Sequence, residues 1–166
     1  MFRWRRVLLV QRSHPLAELD RAPTLAELGA HPLISYESSN QPDSSLQRSF
    51  AAEGVQPQVA MTARDANLIK TYVRAGLGTG LLAEMAVGAR EDADLQALPA
   101  PAALPECTTW AVIPRGRVLR DYALALLHGL APQLDRRDLR RVLEGNLEPQ
   151  WPVPPTWAEL SQPITV

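Results

Sequence analysis

The stretch RAGLGTGLLA, Arg74–Ala83, places Gly76, Gly78 and Gly80 at alternate positions ahead of an apolar run. A phosphate-cradling loop follows a strand and opens a helix, so that free amides at the helix N-terminus face the anion. A helix C-cap turning into a strand uses glycines for the opposite transition. The flanks decide between them. Upstream, Thr62 to Ala75 reads as a helix: Thr62 and Asp65 have the spacing of a box-like start, and Ala66, Ile69, Lys70, Tyr72 and Val73 continue it. Downstream, Gly80 to Ala83 reads as a short apolar strand. The helix comes first, and the end nearest the glycines is its negative end. The stretch is therefore predicted to be a left-handed cap at Gly76, a tight turn, and a close helix-to-strand approach.

The same alternation extends in both directions. Arg6 to Val10 reads as a buried strand, Thr24 and Glu27 as a capping box, and Pro32 to Tyr36 as a strand. A polar loop, Glu37 to Asp43, leads to a helix from Ser44 to about Glu53, stopped by Gly54. Pro57 to Met61, Leu95 to Leu98 and Thr108 to Ile113 read as further strands. Val118 to Ala131 is an amphipathic helix with Leu119, Tyr122, Ala123, Leu126, Leu127 and Leu130 on one stripe. Asp135 to Glu144 is a short charged helix, Pro149 to Pro155 is proline-rich, and Thr156 with Glu159 caps a last turn. Alternating strands and helices on short loops predict an α/β layer around a mainly parallel sheet, with ligands at the C-terminal edge of the strands.

Composition narrows the function. The chain has 166 residues, 46% of them hydrophobic and 21% charged, a globular balance with enough length for a core. Its 17 basic and 18 acidic residues give a net charge of −1, without the basic excess of a free-standing nucleic-acid binder. Cys107 is the single cysteine, so an internal disulfide and a multi-cysteine metal site are excluded; it reads as a packed strand-end residue. The apolar run Val7 to Val10 is short of the roughly 7–15 residues of a secretory signal core. The expected setting is cytoplasmic, without a membrane span.

Asp65 to Val87, DANLIKTYVRAGLGTGLLAEMAV, resembles the effector-binding domain of LysR-type transcriptional regulators, in the CysB-like branch that controls sulfur assimilation. Other pieces fall in order around it: Trp4 and Arg6 before the first strand, His14-Pro15-Leu16, His31 to Tyr36, and Pro114-Arg115-Gly116 ahead of Leu119, Arg120 and Tyr122. The resemblance covers roughly Trp4 to Leu134. It implies a type II periplasmic-binding-protein-like α/β fold, with one α/β subdomain at 1–113, the returning C-terminal helix of a second, incomplete subdomain at 114–134, and a partly proline-rich extension at 135–166. The family's helix-turn-helix and linker helix are not in this sequence. The span is expected to be a truncated sensing region that binds a small anionic metabolite, forms a homo-oligomer through the effector domain, needs no cofactor and does not bind DNA by itself. A second reading is a type II solute-binding protein, which would need an export signal. An enzyme is not expected: no nucleophile elbow, metal spacing or phosphate loop is present.

The family holds its effector with helix N-termini and short polar side chains. Carried onto this sequence, the resemblance points to Ser38, Ser39 and Gln41 as hydrogen-bonding ligands of a carboxylate or sulfate; the alternative is a solvated turn capped by Asp43 or Ser44. Thr62 is either a ligand contact or a helix cap, and Trp4 either a cleft residue or hinge packing. Gln41-Pro42 stands where relatives have Thr-Gly, and Asp43 replaces a basic residue, which weakens the case for sulfate or an acetylated serine. Lys70 reads as an exposed helix residue, and the Arg136–Arg141 run as a solvated face.

Overall fold

The computed structural model describes residues 1–114, 117–146 and 150–161. Arg115, Gly116 and Pro149, which the sequence reading used, lie outside them. In chain order the elements are β1 (Phe2–Trp4), β2 (Arg6–Gln11), α1 (Leu25–Gly29), β3 (Leu33–Tyr36), α2 (Ser45–Ala52), β4 (Val59–Ala63), α3 (Ala66–Arg74), β5 (Thr79–Ala83), β6 (Leu95–Pro99), β7 (Cys107–Thr109), α4 (Asp121–Leu130), α5 (Arg136–Leu143) and α6 (Trp157–Leu160). They divide into two compact units: Arg5–Cys107, and Met1–Trp4 with the described residues from Thr108 onward.

The first unit is built on a five-stranded sheet of order β4-β3-β5-β2-β6. β3 runs parallel to β4 and β5, whereas β2 is antiparallel to both β5 and β6. The expected mainly parallel sheet is thus a mixed one, with β2 reversed between strands that share a direction. A strand buried on both faces has no alternation to betray its direction, and RVLLV is such a strand. Successive residues point to opposite faces. Leu8, Val10, Leu33 and Leu81 join Leu25, Leu28, Leu46 and Phe50 in one apolar cluster. Leu9, Ile34 and Leu82 join Ile69 and Val73 in another. Helices α1 and α2 cover one face of the sheet, and α3 covers the other.

RAGLGTGLLA has the predicted form. Helix α3 closes at Ala75, Gly76 follows with φ +73°, and β5 begins at Thr79. At Gly78 (φ +155°) a Cβ would fall within contact distance of the Pro32 carbonyl oxygen and 3.1 Å from its carbon. That oxygen accepts the Thr79 N–H at 2.8 Å, so the turn is fastened to the start of β3. The expected start of α3 is corrected. Thr62 lies in β4, and the cap is Asp65, whose Oδ1 accepts the Leu68 N–H at 3.0 Å. A carboxylate three residues before an amide satisfies it as well as a hydroxyl does, and the extension of β4 to Ala63 takes Thr62 out of the helix.

Lys70 is also corrected: it is 5% exposed, because Asp92, equally buried, lies 2.6 Å from its Nζ. Arg74 reaches the same carboxylate at 3.0 Å and also holds Asp94 at 2.8 Å, while the Gly88 N–H donates to Asp92. Burial alone pushes the Asp92 carboxyl up. Hydrogen bonds from Lys70, Gly88 and Arg74 outweigh it and hold the group below its ordinary range. This network ties α3 to the segment leading into β6.

In the second unit β1 pairs with β7. The strand expected over Thr108 to Ile113 ends at Thr109, since β1 offers only three residues to pair with; Trp110 and Val112 are exposed. The long helix begins at Asp121 rather than Val118. Of its apolar residues Leu124 is buried, while Tyr122, Leu126 and Leu130 are exposed. Helix α5 is capped by Asp135, whose carboxylate accepts the Arg137 and Asp138 amides. The tail folds onto β1: Arg3 N–H donates to Pro155 O at 2.8 Å and Phe2 stacks 5.7 Å from Trp157. The capping box of Thr156 and Glu159 forms as expected.

Candidate functional site

Parallel strands β3 and β4 end at the same edge of the sheet. Ser35 lies opposite Thr62 and Tyr36 opposite Ala63. Glu37–Asn40 form a single 3-10 turn, Gln41 closes it, and Ser44 then caps α2 by accepting the Gln47 N–H at 3.1 Å. The Ser44 hydroxyl donates to Ser39 O at 2.7 Å, which holds the turn against the helix start. The structure therefore gathers Ser38, Ser39, Gln41 and Thr62 at one strand edge: Ser38 and Gln41 are exposed, Ser39 and Thr62 half-buried. Trp4, half-buried, ends β1 and belongs to the other unit.

Two residues at this edge were not singled out by sequence. Because β2 runs backward, Arg6 lies opposite Ala83, the last residue of β5. Its Nη2 donates to Ser45 Oγ at 2.7 Å, on the first turn of α2, and its Nη1 donates to Pro105 O at 3.2 Å. A cation at the positive end of a helix opposes the helix dipole, so this placement favours an anion beside it. The second is Tyr36. Burial pushes its phenol above the usual value, a backbone hydrogen bond with Ala83 opposes that, and the Asp65 carboxylate adds to it. At neutral pH it is a neutral hydroxyl. The available sequence signal was the charge of Arg6 at the head of an apolar strand, but without the strand's direction it indicated neither edge.

A cavity of about 690 Å³ on this unit is lined by Arg5, Arg6, Glu84, Glu106 and the apolar segment around Ala97–Leu104. It contains none of Ser38, Ser39, Gln41 or Thr62. Arg5 is paired with Glu106 at 3.0 Å, and its backbone N–H donates to Glu84 at 2.8 Å. Among the described residues no group of three or more His, Cys, Asp or Glu could hold a metal ion. The half-buried Cys107 thiol is pushed up by burial, with Arg6 opposing.

Residues 1–135 match the model of the LysR substrate binding domain. The chain belongs to that family. The match ends where the resemblance read from the sequence ended, near Leu134. Among curated relatives, the HTH-type transcriptional regulator CysB of Burkholderia cenocepacia is 34% identical over 148 residues, 89% of this chain and 47% of that protein. The regulator cbl of Escherichia coli is 34% identical over 148 residues, 89% of this chain and 46% of its own. The chain thus spans about half the length of these relatives. The crystal structure of the cofactor-binding domain of the Cbl transcriptional regulator matches with a TM-score of 0.77 at 33% identity, covering 86% of this chain and 62% of that one. The fold is therefore the type II periplasmic-binding-like fold of LysR effector domains. The relatives are regulators rather than enzymes or solute carriers. Among the described residues no helix is long and apolar enough to cross a membrane.

Proposed function

We propose that this chain is the sensing region of a CysB-like regulator and that its strand edge binds a small anionic metabolite. The observation that supports this most is the Arg6 guanidinium on the first turn of α2, 2.7 Å from Ser45 Oγ. Ser38, Ser39, Gln41 and Thr62, at the same edge of the sheet, carry the hydroxyl and amide donors of this reading. By resemblance to the family, Trp4 is a further candidate contact. The sulfur-related role of the CysB-like branch makes sulfate, thiosulfate and acetylated serines the first ligands to examine. In the same reading α4 is the returning helix of a second subdomain, and its exposed Tyr122, Leu126 and Leu130 are covered when that subdomain is complete. The unit then works in the cytoplasm as part of a homo-oligomer. Ligand binding shifts the population of subdomain poses and so the geometry of the assembly. Specific DNA contact belongs to segments other than this one.

A melting series with sulfate, thiosulfate, O-acetylserine and N-acetylserine tests the site. A ligand at a hundred times its Kd adds about 2.7 kcal/mol of stability, a shift of several degrees for a domain of this size. Flat melting temperatures with all four, at millimolar concentrations, would remove the anion assignment.

A further inference from the structure

At the opposite edge of the sheet, the loop after β2 meets the loop before β3. His14 and His31 lie there edge to face, with ring centroids 4.6 Å apart. His14 caps the 3-10 turn Pro15–Glu18: its Nδ1 accepts the Leu16 N–H at 3.2 Å. That bond fixes the tautomer, since Nδ1 must keep its lone pair and the ring proton sits on Nε2. Nε2 in turn faces Thr79 Oγ1 at 3.5 Å, the first residue of β5. A neutral imidazole with its proton on Nε2 and its Nδ1 lone pair committed to an amide has no free pair for a metal ion, so His14 is not set to be a metal ligand. Protonation of His14 puts a hydrogen on Nδ1 against the Leu16 N–H, replacing a bond by a clash of donors. Protonation of both rings adds like charges in contact.

We propose that His14 and His31 form an acid-operated latch that holds the Pro15–Glu18 turn and the start of β5 closed when neutral and releases them when protonated. What it holds is a piece of core: Leu16 is 4% exposed and packs with Leu8, Val10 and Leu28. Among the described residues no carboxylate pairs with His14. Of the groups on neighbouring elements, Arg12 turns its guanidinium to Ala93 O, Glu18 is exposed, and Arg74 is committed to Asp92 and Asp94. Burial and then the His31 charge both lower the His14 pKa. The folded state thus binds fewer protons than the unfolded one below the ordinary imidazole range. The latch is fully effective above about pH 6.5 and is lost as pH falls from there.

The test is hydrogen exchange of the amides from Ser13 to Leu19, corrected for intrinsic rates, between pH 7.5 and 5.5. The linkage ceiling over that span is about tenfold in opening for His14, and at least a threefold loss of protection is expected in the parent. His14→Asn keeps an amide oxygen as cap but cannot titrate, so its protection should be flat over the same range. His31→Asn removes one of the two causes that lower the His14 pKa, so it should retain a smaller loss, completed at a higher pH than in the parent. Nitrogen-15 spectra of the imidazoles should show Nε2 protonated at pH 7.5. Equal pH dependence in the parent and His14→Asn, or a proton on Nδ1 at pH 7.5, would overturn the proposal. The experiment needs no effector, so its failure is independent of the anion assignment.

Discussion

The buried ion network sets a prediction whose sign depends on which partner is removed. Asp92→Ala leaves the Lys70 ammonium 5% exposed with no counter-ion in place of one at 2.6 Å, and frees the Gly88 N–H as well. Breaking a buried pair from one side costs about 3–5 kcal/mol, because the remaining charge is uncompensated. Lys70→Met is different. Asp92 keeps Arg74 at 3.0 Å and the Gly88 N–H at 3.0 Å, so no charge is stranded. The loss is one charge-assisted hydrogen bond, about 1.5–3 kcal/mol, reduced by the removed cost of burying an ammonium and by the aliphatic stem that methionine retains. Asp92→Ala should therefore be the more damaging by at least about 1 kcal/mol. Against a total stability of about 5–15 kcal/mol, that separates a marginal domain from a usable one. Urea unfolding at pH 7, with the midpoint read at constant m-value, measures both. Equal losses, or Lys70→Met the worse, would show that Arg74 and Gly88 do not sustain Asp92.

The same carboxylate fixes the acid limb: its folded pKa is depressed, so its contribution is present above the ordinary value of 3.8 and is lost as pH falls below it. An acid titration of parent and Asp92→Asn should show a smaller loss below pH 4 in the variant. Gly78→Ala, which drives a Cβ into the Pro32 carbonyl, should cost about 3 kcal/mol or more, or prevent folding, whereas the solvent-facing Gly129, with open space around it, should tolerate alanine; melting temperatures compare them. Thr24→Ala removes the hydroxyl that accepts the Glu27 N–H at 3.2 Å and should cost about 1 kcal/mol, read from the denaturation midpoint.

What the sequence disclosed follows from how local each signal is. Caps and glycines act over three or four residues, so Thr24, Ser44, Gly76, Thr156 and the order of helix and strand in RAGLGTGLLA were readable. Strand direction is not local. Nothing within RVLLV says that β2 runs against β5, and that reversal is what carries Arg6 to the edge where β3 and β5 end. Lys70 failed for a related reason: its burial depends on Asp92, more than twenty residues away across a turn, and helical position alone assigns a lone lysine to solvent. The site residues sit between these cases. Ser38 to Gln41 were placed by the rule that loops after parallel strands gather at one edge, which holds for β3 and β4. The helix cap expected of Thr62 was lost to Asp65, yet Thr62 still lies at the same edge because β4 runs to Ala63.

Arg6 also changes what Asp43 implies. Read from the loop alone, an acidic residue in a basic residue's place argues against an anion site. In the folded unit Asp43 is exposed, where a single charge alters binding by tenths of a kcal/mol and is screened within about 10 Å at 0.1 M salt. Arg6 is half-buried and hydrogen-bonded on two sides, so its charge is fixed in place and less screened. Charge-assisted hydrogen bonds of that kind contribute about 1.5–3 kcal/mol, or roughly tenfold to a hundredfold in affinity. Arg6→Met should accordingly weaken any anion that binds by at least tenfold, while Asp43→Asn should strengthen it no more than about threefold, with a gain that disappears at 0.5 M salt. Calorimetric titration of the parent and both variants compares them, with melting temperature as the control for the lost Ser45 and Pro105 contacts. An anion held with unchanged affinity by Arg6→Met would place the site away from the first turn of α2 and return the loop to the role of a solvated turn.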